Sequence, residues 1–188
     1  PVTTSTSSNS GNVVLAPSIS GTVRFIDNTI SGGSTGMYYK GTSTSSSHAL
    51  GTEFRGNTIT DIYNQGFYLQ YHTDAVIENN SISFVDASYI YSYGVELNDM
   101  DGAFRFVGNR VIGAKYYGVN MAYCTATAGA PGLVANNFVM SKGGYQSYYM
   151  IYNTFQQVYH NNISNTSSGV AFYYHGSSSA GNVVKNNI

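Results

Sequence analysis

The chain has 188 residues, only 9% of them charged, and a net charge of −1. That length allows one domain with a sizeable core. The near-neutral balance, with no basic stripe and no acidic block, argues against a nucleic-acid partner. The lack of any apolar run of 18 residues argues against membrane insertion.

The first residues, Pro1-Val-Thr-Thr-Ser-Thr-Ser-Ser-Asn-Ser10, are too polar to pack. Residues 1–12 are therefore expected to form a flexible arm or linker, and 13–188 the folded domain. The chain opens without an initiator Met or a charged-then-apolar leader, which reads as a processed or excised piece. Low charge, with solubility carried by Ser, Thr, Asn, Gly and Tyr, fits a secreted or surface location. The lone Cys124 can form no internal disulfide.

From residue 25 onward one pattern recurs, apolar-x-x-Asn-x-apolar. It runs Phe25-x-x-Asn28-x-Ile30, Phe54-x-x-Asn57-x-Ile59, Ile77-x-x-Asn80-x-Ile82 and Phe106-x-x-Asn109-x-Val111. It continues as Leu133-x-x-Asn136-x-Phe138, Val158-x-x-Asn161-x-Ile163 and Val183-x-x-Asn186-x-Ile188. Neighbouring Asn lie 29, 23, 29, 27, 25 and 25 residues apart. A second signal, Gly-apolar-x-apolar, follows as Gly36-Met37-x-Tyr39, Gly66-Phe67-x-Leu69, Gly94-Val95-x-Leu97, Gly118-Val119-x-Met121 and Gly169-Val170-x-Phe172. In the fifth copy Tyr149-Met150-Ile151-Tyr152 stands in its place. Alternation at period two marks strands with one buried face, so each repeat holds at least two short strands.

A period near 25 also fits leucine-rich repeats. Only five Leu exist, however, and the stretches between strands are Gly, Ser, Thr and Tyr, poor material for a helix. A coil of stacked rungs is the better reading. Equivalent residues of successive rungs then lie about 4.8 Å apart. An inward Asn can donate its amide to the Asn on one side and accept from the other. The seven Asn are assigned this structural role and no chemistry.

The Phe-x-x-Asn and Asn-x-Ile forms, with the pairs Asn79-Asn80, Asn136-Asn137, Asn161-Asn162 and Asn186-Asn187, resemble the repeats of the right-handed parallel β-helix (pectate-lyase-like) superfamily. The resemblance covers roughly residues 20 to 188. It implies an all-β, right-handed parallel β-helix solenoid of about seven rungs with an Asn ladder. That superfamily includes polysaccharide lyases, glycoside hydrolases, epimerases, phage tailspikes and surface adhesins. No helix-period segment marks a cap at either end, so the ends read as uncapped, as in a longer coil or one that stacks end to end on copies of itself.

Enzymes of the superfamily work on an outward sheet face. Counting by alternation, the outward set comprises Tyr38, Lys40, Tyr68, Gln70, His72, Glu96, Asn98, Met100, Asn120, Ala122, Ile151, Asn153, Ala171, Tyr173 and His175. His72, Glu96, Asp99 and Asp101 are the candidate catalytic residues, since paired carboxylates can hydrolyse glycosides. Tyr38, Tyr68, Gln70, Asn98, Asn120 and Tyr173 are the candidate ligand contacts. No cofactor is called for; calcium is the ion that Asp74, Asp99 and Asp101 would suit. The same residues equally fit a solvated turn rich in Asp and Asn. The superfamily's catalytic signatures are missing: there is no Asn-Thr-Asp, Gly-His-Gly or Asp-Pro-His-Asp. His48, His72, His160 and His175 lack metal-ligand spacing and read as surface residues, and Cys124 as a small buried one.

Tyrosine is the compositional anomaly, with 18 Tyr and no Trp, gathered around the second strand of each copy. One of each adjacent pair can pack inside while the other stands out. The expected function is an extracellular structural or adhesive module. The alternative is a polysaccharide-active enzyme or carbohydrate-binding module using an outward face.

Overall fold

The computed structural model describes residues 6, 11–44, 47–86, 88–176 and 179–188. The expected flexible arm thus lies largely outside the described residues. The described residues from 12 to 188 wind as a coil in which each of the first six rungs contributes to three sheets and the last to two, and every pairing between named strands is parallel. Sheet A holds Asn12–Ala16, Thr35–Lys40, Gln65–Thr73, Tyr93–Asp101, Tyr117–Ala122, Gln146–Ile151 and Val170–His175, with the short Ala49–Leu50 also on Gln65–Thr73. Sheet B holds Arg24–Ile26, Glu53–Arg55, Val76–Glu78, Arg105–Val107, Gly132–Ala135, Gln156–Tyr159 and Val183–Lys185. Sheet C holds Thr29–Ser31, Thr58–Ile62, Ser81–Phe84, Arg110–Ile112, Phe138–Ser141 and Asn162–Asn165. Each repeat therefore carries three strands. The third is the apolar-x-x stretch before the Asn, too short to announce itself by alternation.

The core is a set of files running along the axis. Sheet B supplies Phe54, Ile77, Phe106, Val134 and Val158; sheet C supplies Ile30, Ile59, Ile82, Val111, Val139 and Ile163; all are buried. Between these two sheets runs the Asn ladder. Asn28 Nδ2 donates to Asn57 Oδ1 at 2.9 Å, and the chain of bonds continues through Asn80, Asn109, Asn137 and Asn161 to Asn187. Each Oδ1 also accepts the backbone N–H of the preceding ladder residue, and each Nδ2 from Asn57 on donates to a carbonyl such as Phe25 O or Phe54 O. The buried amides of Asn57, Asn80, Asn109, Asn137 and Asn161 are thus fully satisfied, as burial demands.

Two members differ from the sequence pattern: Asn137 and Asn187 are the ladder residues, not Asn136 and Asn186. In those copies the register places Val134 and Val184 in the inward apolar file. Asn136 and Asn186 instead sit at φ 57° and 55°, the left-handed turn position that Asp27, Gly56, Asn79 and Gly108 hold in other rungs. Asn serves both roles, so an Asn-Asn pair is ambiguous by one residue.

The Gly column marks the corner between sheets C and A. None of Gly36, Gly66, Gly94 and Gly118 has positive φ; their requirement is space. A Cβ on Gly94 would lie 2.3 Å from both Gly118 O and Val111 Cγ1. The column continues through Ser147 and Ala171, because the register aligns Tyr148 with Val119 and Phe172 with Tyr148. The fifth copy therefore reads Ser147-Tyr148-Tyr149-Met150, and Gly169 is outside the column. Ser147 adapts to the site by donating its hydroxyl to Ser164 O at 2.7 Å.

Candidate functional site

Sheet A presents the widest outward surface, and its register fixes what stands beside what. One outward file reads Tyr38, Tyr68, Glu96, Asn120, Tyr149, Tyr173, and the next reads Lys40, Gln70, Asn98, Ala122, Ile151, His175. Four residues expected on this face are not there. Tyr71, Asp99, Tyr123 and Tyr152 adopt φ of 61°, 49°, 56° and 56° at equivalent positions. A left-handed residue turns the chain, so strict alternation fails beyond it. His72, Met100 and Asn153 consequently point inward and are fully buried, in one file with Cys124. Ala171 is misplaced for the other reason, its seat in the Gly column.

His72 is accordingly a core residue, which removes it from the outward catalytic candidates. Its ring packs 4.8 Å from Tyr39, Nε2 lies 3.3 Å from Tyr39 O, and Nδ1 has no partner. Burial holds its pKa down at about 4. Cys124 is buried as expected, and burial pushes its thiol pKa well up.

The acidic neighbourhood is also divided. Glu96 and Asp99 share the outer face. Asp101 lies 3.2 Å from His48 Nδ1 and accepts from Thr125 Oγ1. Asp74 accepts Ala103 N–H at 2.8 Å, tying down a turn. No group of three or more His, Cys, Asp or Glu converges on a metal position among the described residues, so the calcium candidates are not brought together. The arginines serve elsewhere: Arg24, Arg55 and Arg105 interleave with Glu53 and Glu78 on the outside of sheet B.

What does converge is a saddle at the middle of sheet A. Its floor is Glu96, Asn98, Asn120 and Ala122. Glu96 accepts from Gln65 Nε2 at 2.6 Å and Asn98 Nδ2 at 2.8 Å. Gln70 Nε2 donates to Asp99 at 3.0 Å, and Tyr68 OH donates to Gln70 Oε1 at 2.7 Å. Burial pushes the Glu96 carboxyl above its ordinary pKa, against the pull of the two amide bonds. Asn120 Oδ1 is closed from solvent and has no partner.

Tyrosines wall the floor along the axis. On one side Tyr68 stacks on Tyr38 at 4.5 Å. On the other, Tyr117, Tyr149 and Tyr173 stack at 4.8 and 5.2 Å. Tyr93 closes the near side and Tyr123, 54% exposed, stands beyond Asp99. All six candidate ligand contacts lie on this face. Tyr93, Tyr117 and Gln65, which line it too, were not among them. They precede the Gly corner, where alternation gives no reading of direction.

The saddle is open: the described residues enclose no pocket. Among them no helix is long and apolar enough to cross a membrane. No curated protein and no solved structure matches the chain. The profile of the right handed beta helix region matches residues 3–128, about two thirds of the sequence. With parallel rungs, a continuous Asn ladder and that match in agreement, the chain belongs to the right-handed β-helix family.

Proposed function

We propose that this chain is a non-catalytic adhesive module, acting at a cell surface or outside the cell, that holds a glycan chain across the sheet A saddle. The observation that carries the reading is the floor of amides and carboxylates walled by tyrosine. Asn98, Asn120, Gln70 and Glu96 stand on successive rungs, and sugar hydroxyls would take over hydrogen bonds that Gln70, Glu96 and Asn98 now make within the saddle. The tyrosine rings offer apolar flanks with polar tips. The lack of a pocket and the burial of His72 favour holding over turnover. The low charge and Ser/Thr-rich composition support an extracellular setting.

The test is a glycan array probed with the wild-type chain, followed by calorimetry on any oligosaccharide retained. Tyr68→Ala and Asn120→Ala are each expected to weaken binding by about 1–2 kcal/mol, the cost of one stacking face or one buried polar contact. Wild-type protein that retains no glycan sinks the reading.

One observation favours a hydrolytic alternative: the raised pKa of Glu96, which suits a proton donor. Release of reducing sugar by the wild type, lost in Glu96→Gln, would establish it.

A further inference from the structure

Half of the 18 tyrosines form one unbroken network of ring contacts on the outside of the coil. It begins at the corner between sheets C and A, where Tyr63 meets Tyr89 at 6.1 Å and Tyr89 meets Tyr91 at 5.5 Å. Tyr91 meets Tyr116 at 5.4 Å and Tyr145 at 6.4 Å; Tyr116 meets Tyr145 at 4.3 Å, Tyr117 at 4.2 Å and Tyr93 at 5.3 Å. From Tyr117 the network passes to Tyr149 and Tyr173.

Residues on either side of Tyr89 and Tyr91 are tied by hydrogen bonds. Ser88 N–H donates to Val85 O and Ser92 N–H to Tyr89 O. Lys115 Nζ donates to Asp86 O at 2.8 Å and Ser88 O at 3.0 Å, and Lys142 Nζ lies 3.0 Å from Asp86. Tyr91 and Tyr145 are each 43% exposed at the crest of the patch.

We propose that this network is a site of oxidative cross-linking, joining two copies of the chain through Tyr91 and Tyr145. The co-reactants are hydrogen peroxide and a haem peroxidase. One peroxide takes an electron and a proton from each of two phenols and leaves as two waters. The two phenoxyl radicals form one carbon–carbon bond ortho to their oxygens. Each ortho hydrogen then moves to its oxygen, restoring two phenols in a dityrosine.

Three features direct the chemistry to the crest. Adjoining rings let an electron vacancy created anywhere in the network migrate through it. The inner rings are poor resting places, because burial raises the pKa of Tyr93 and Tyr117, whereas the rings of Tyr91 and Tyr145 stand open to solvent and to a second copy. Competing sinks are few: the chain has no Trp, Cys124 and four of the five Met (Met37, Met100, Met121 and Met150) are fully buried, and the half-buried Met140 lies on sheet C, outside the network. A net charge of −1 leaves little repulsion between copies.

The experiment treats the whole chain with hydrogen peroxide and a haem peroxidase. It follows dityrosine fluorescence and covalent dimer on a denaturing gel, and maps the links by mass spectrometry. Exposure alone would choose Tyr123, at 54% the most exposed tyrosine of those described and outside the network. The proposal expects most interchain links on Tyr91 and Tyr145. It also expects loss of most dimer in the Tyr91→Phe, Tyr145→Phe double variant, with the dimer yield of Tyr123→Phe unchanged. Both phenylalanines keep the ring packing, so the melting temperature should hold. Links mostly at any other tyrosine, whether Tyr123 and Tyr174 outside the network or the exposed network member Tyr173, links confined within one chain, or undiminished dimer in the double variant each overturn it.

Discussion

The Asn ladder inside the coil and the tyrosine stacks outside are both files of like side chains repeated once per rung, yet they obey different rules. Inside, each amide makes bonds at 2.8–3.1 Å to the next, and from Asn57 to Asn161 the ladder is buried, so a lost partner is not replaced by solvent. Outside, ring spacing varies from 4.2 to 6.4 Å, planes range from parallel to edge-on, and Glu96 and Asn120 interrupt the file. Interior repetition is enforced by the cost of unsatisfied groups, whereas exterior repetition is merely favourable. The inside therefore specifies the coil, and the outside is free to vary.

The largest effect that would sharpen this contrast is at the Gly corner. Gly94→Ala would drive a methyl into Gly118 O and Val111 at once, and is expected to cost about 4 kcal/mol or more, or to prevent folding. Urea unfolding checks it. Next is Asn109→Ala, which strips an acceptor from Asn80 N–H and Nδ2 and a donor from Ile77 O, for a loss of about 3 kcal/mol. Its matched control is Asn162→Ala, outside the ladder and exposed, expected within about 0.5 kcal/mol of wild type. Equal losses at the two positions would break the comparison.

His72 is an interior residue without the ladder's full satisfaction. Its folded pKa of about 4 lies below the ordinary 6.5, so the unfolded chain binds the proton more readily. Stability is complete above pH 6.5 and falls as pH drops toward 4, by at most about 3 kcal/mol. Glu96, with its carboxyl pKa raised, acts oppositely: its share is lost as pH rises above the usual carboxylate range. Unfolding free energies of wild type and His72→Leu across that window isolate the histidine term; parallel curves would refute it. Smallest is Tyr149→Ala on the outer stack, about 1 kcal/mol, with Tyr149→Phe near zero. A thermal melt suffices to check both.

The repeat, the parallel coil and the inward Asn were legible because each rests on a residue type that few alternatives satisfy. The third sheet was not, since three-residue strands such as Arg24–Ile26 carry too little pattern. The outward face was read well up to Gln70 and Asn98 and wrongly from His72 and Met100 onward. Tyrosine at 71, 123 and 152 gives no warning of left-handed backbone, where Gly or Asn would have. Tyr93 and Tyr117 escaped because the Gly corner resets direction. The aromatic network draws on the corner loop 85–92 as well as the strands, so no single-strand pattern contains it.

Successive ladder residues stand 29, 23, 29, 28, 24 and 26 positions apart, yet each advances the coil by one rung. The surplus is shed sideways at different corners: at 85–92 between sheets C and A in one rung, and at 126–131 between sheets A and B in the next. Segments can thus be spliced into a bend, or trimmed from it, without disturbing the turns above and below. Lineages carrying this architecture are free to diversify their exterior by length as well as by substitution, while the bonded spine underneath stays fixed.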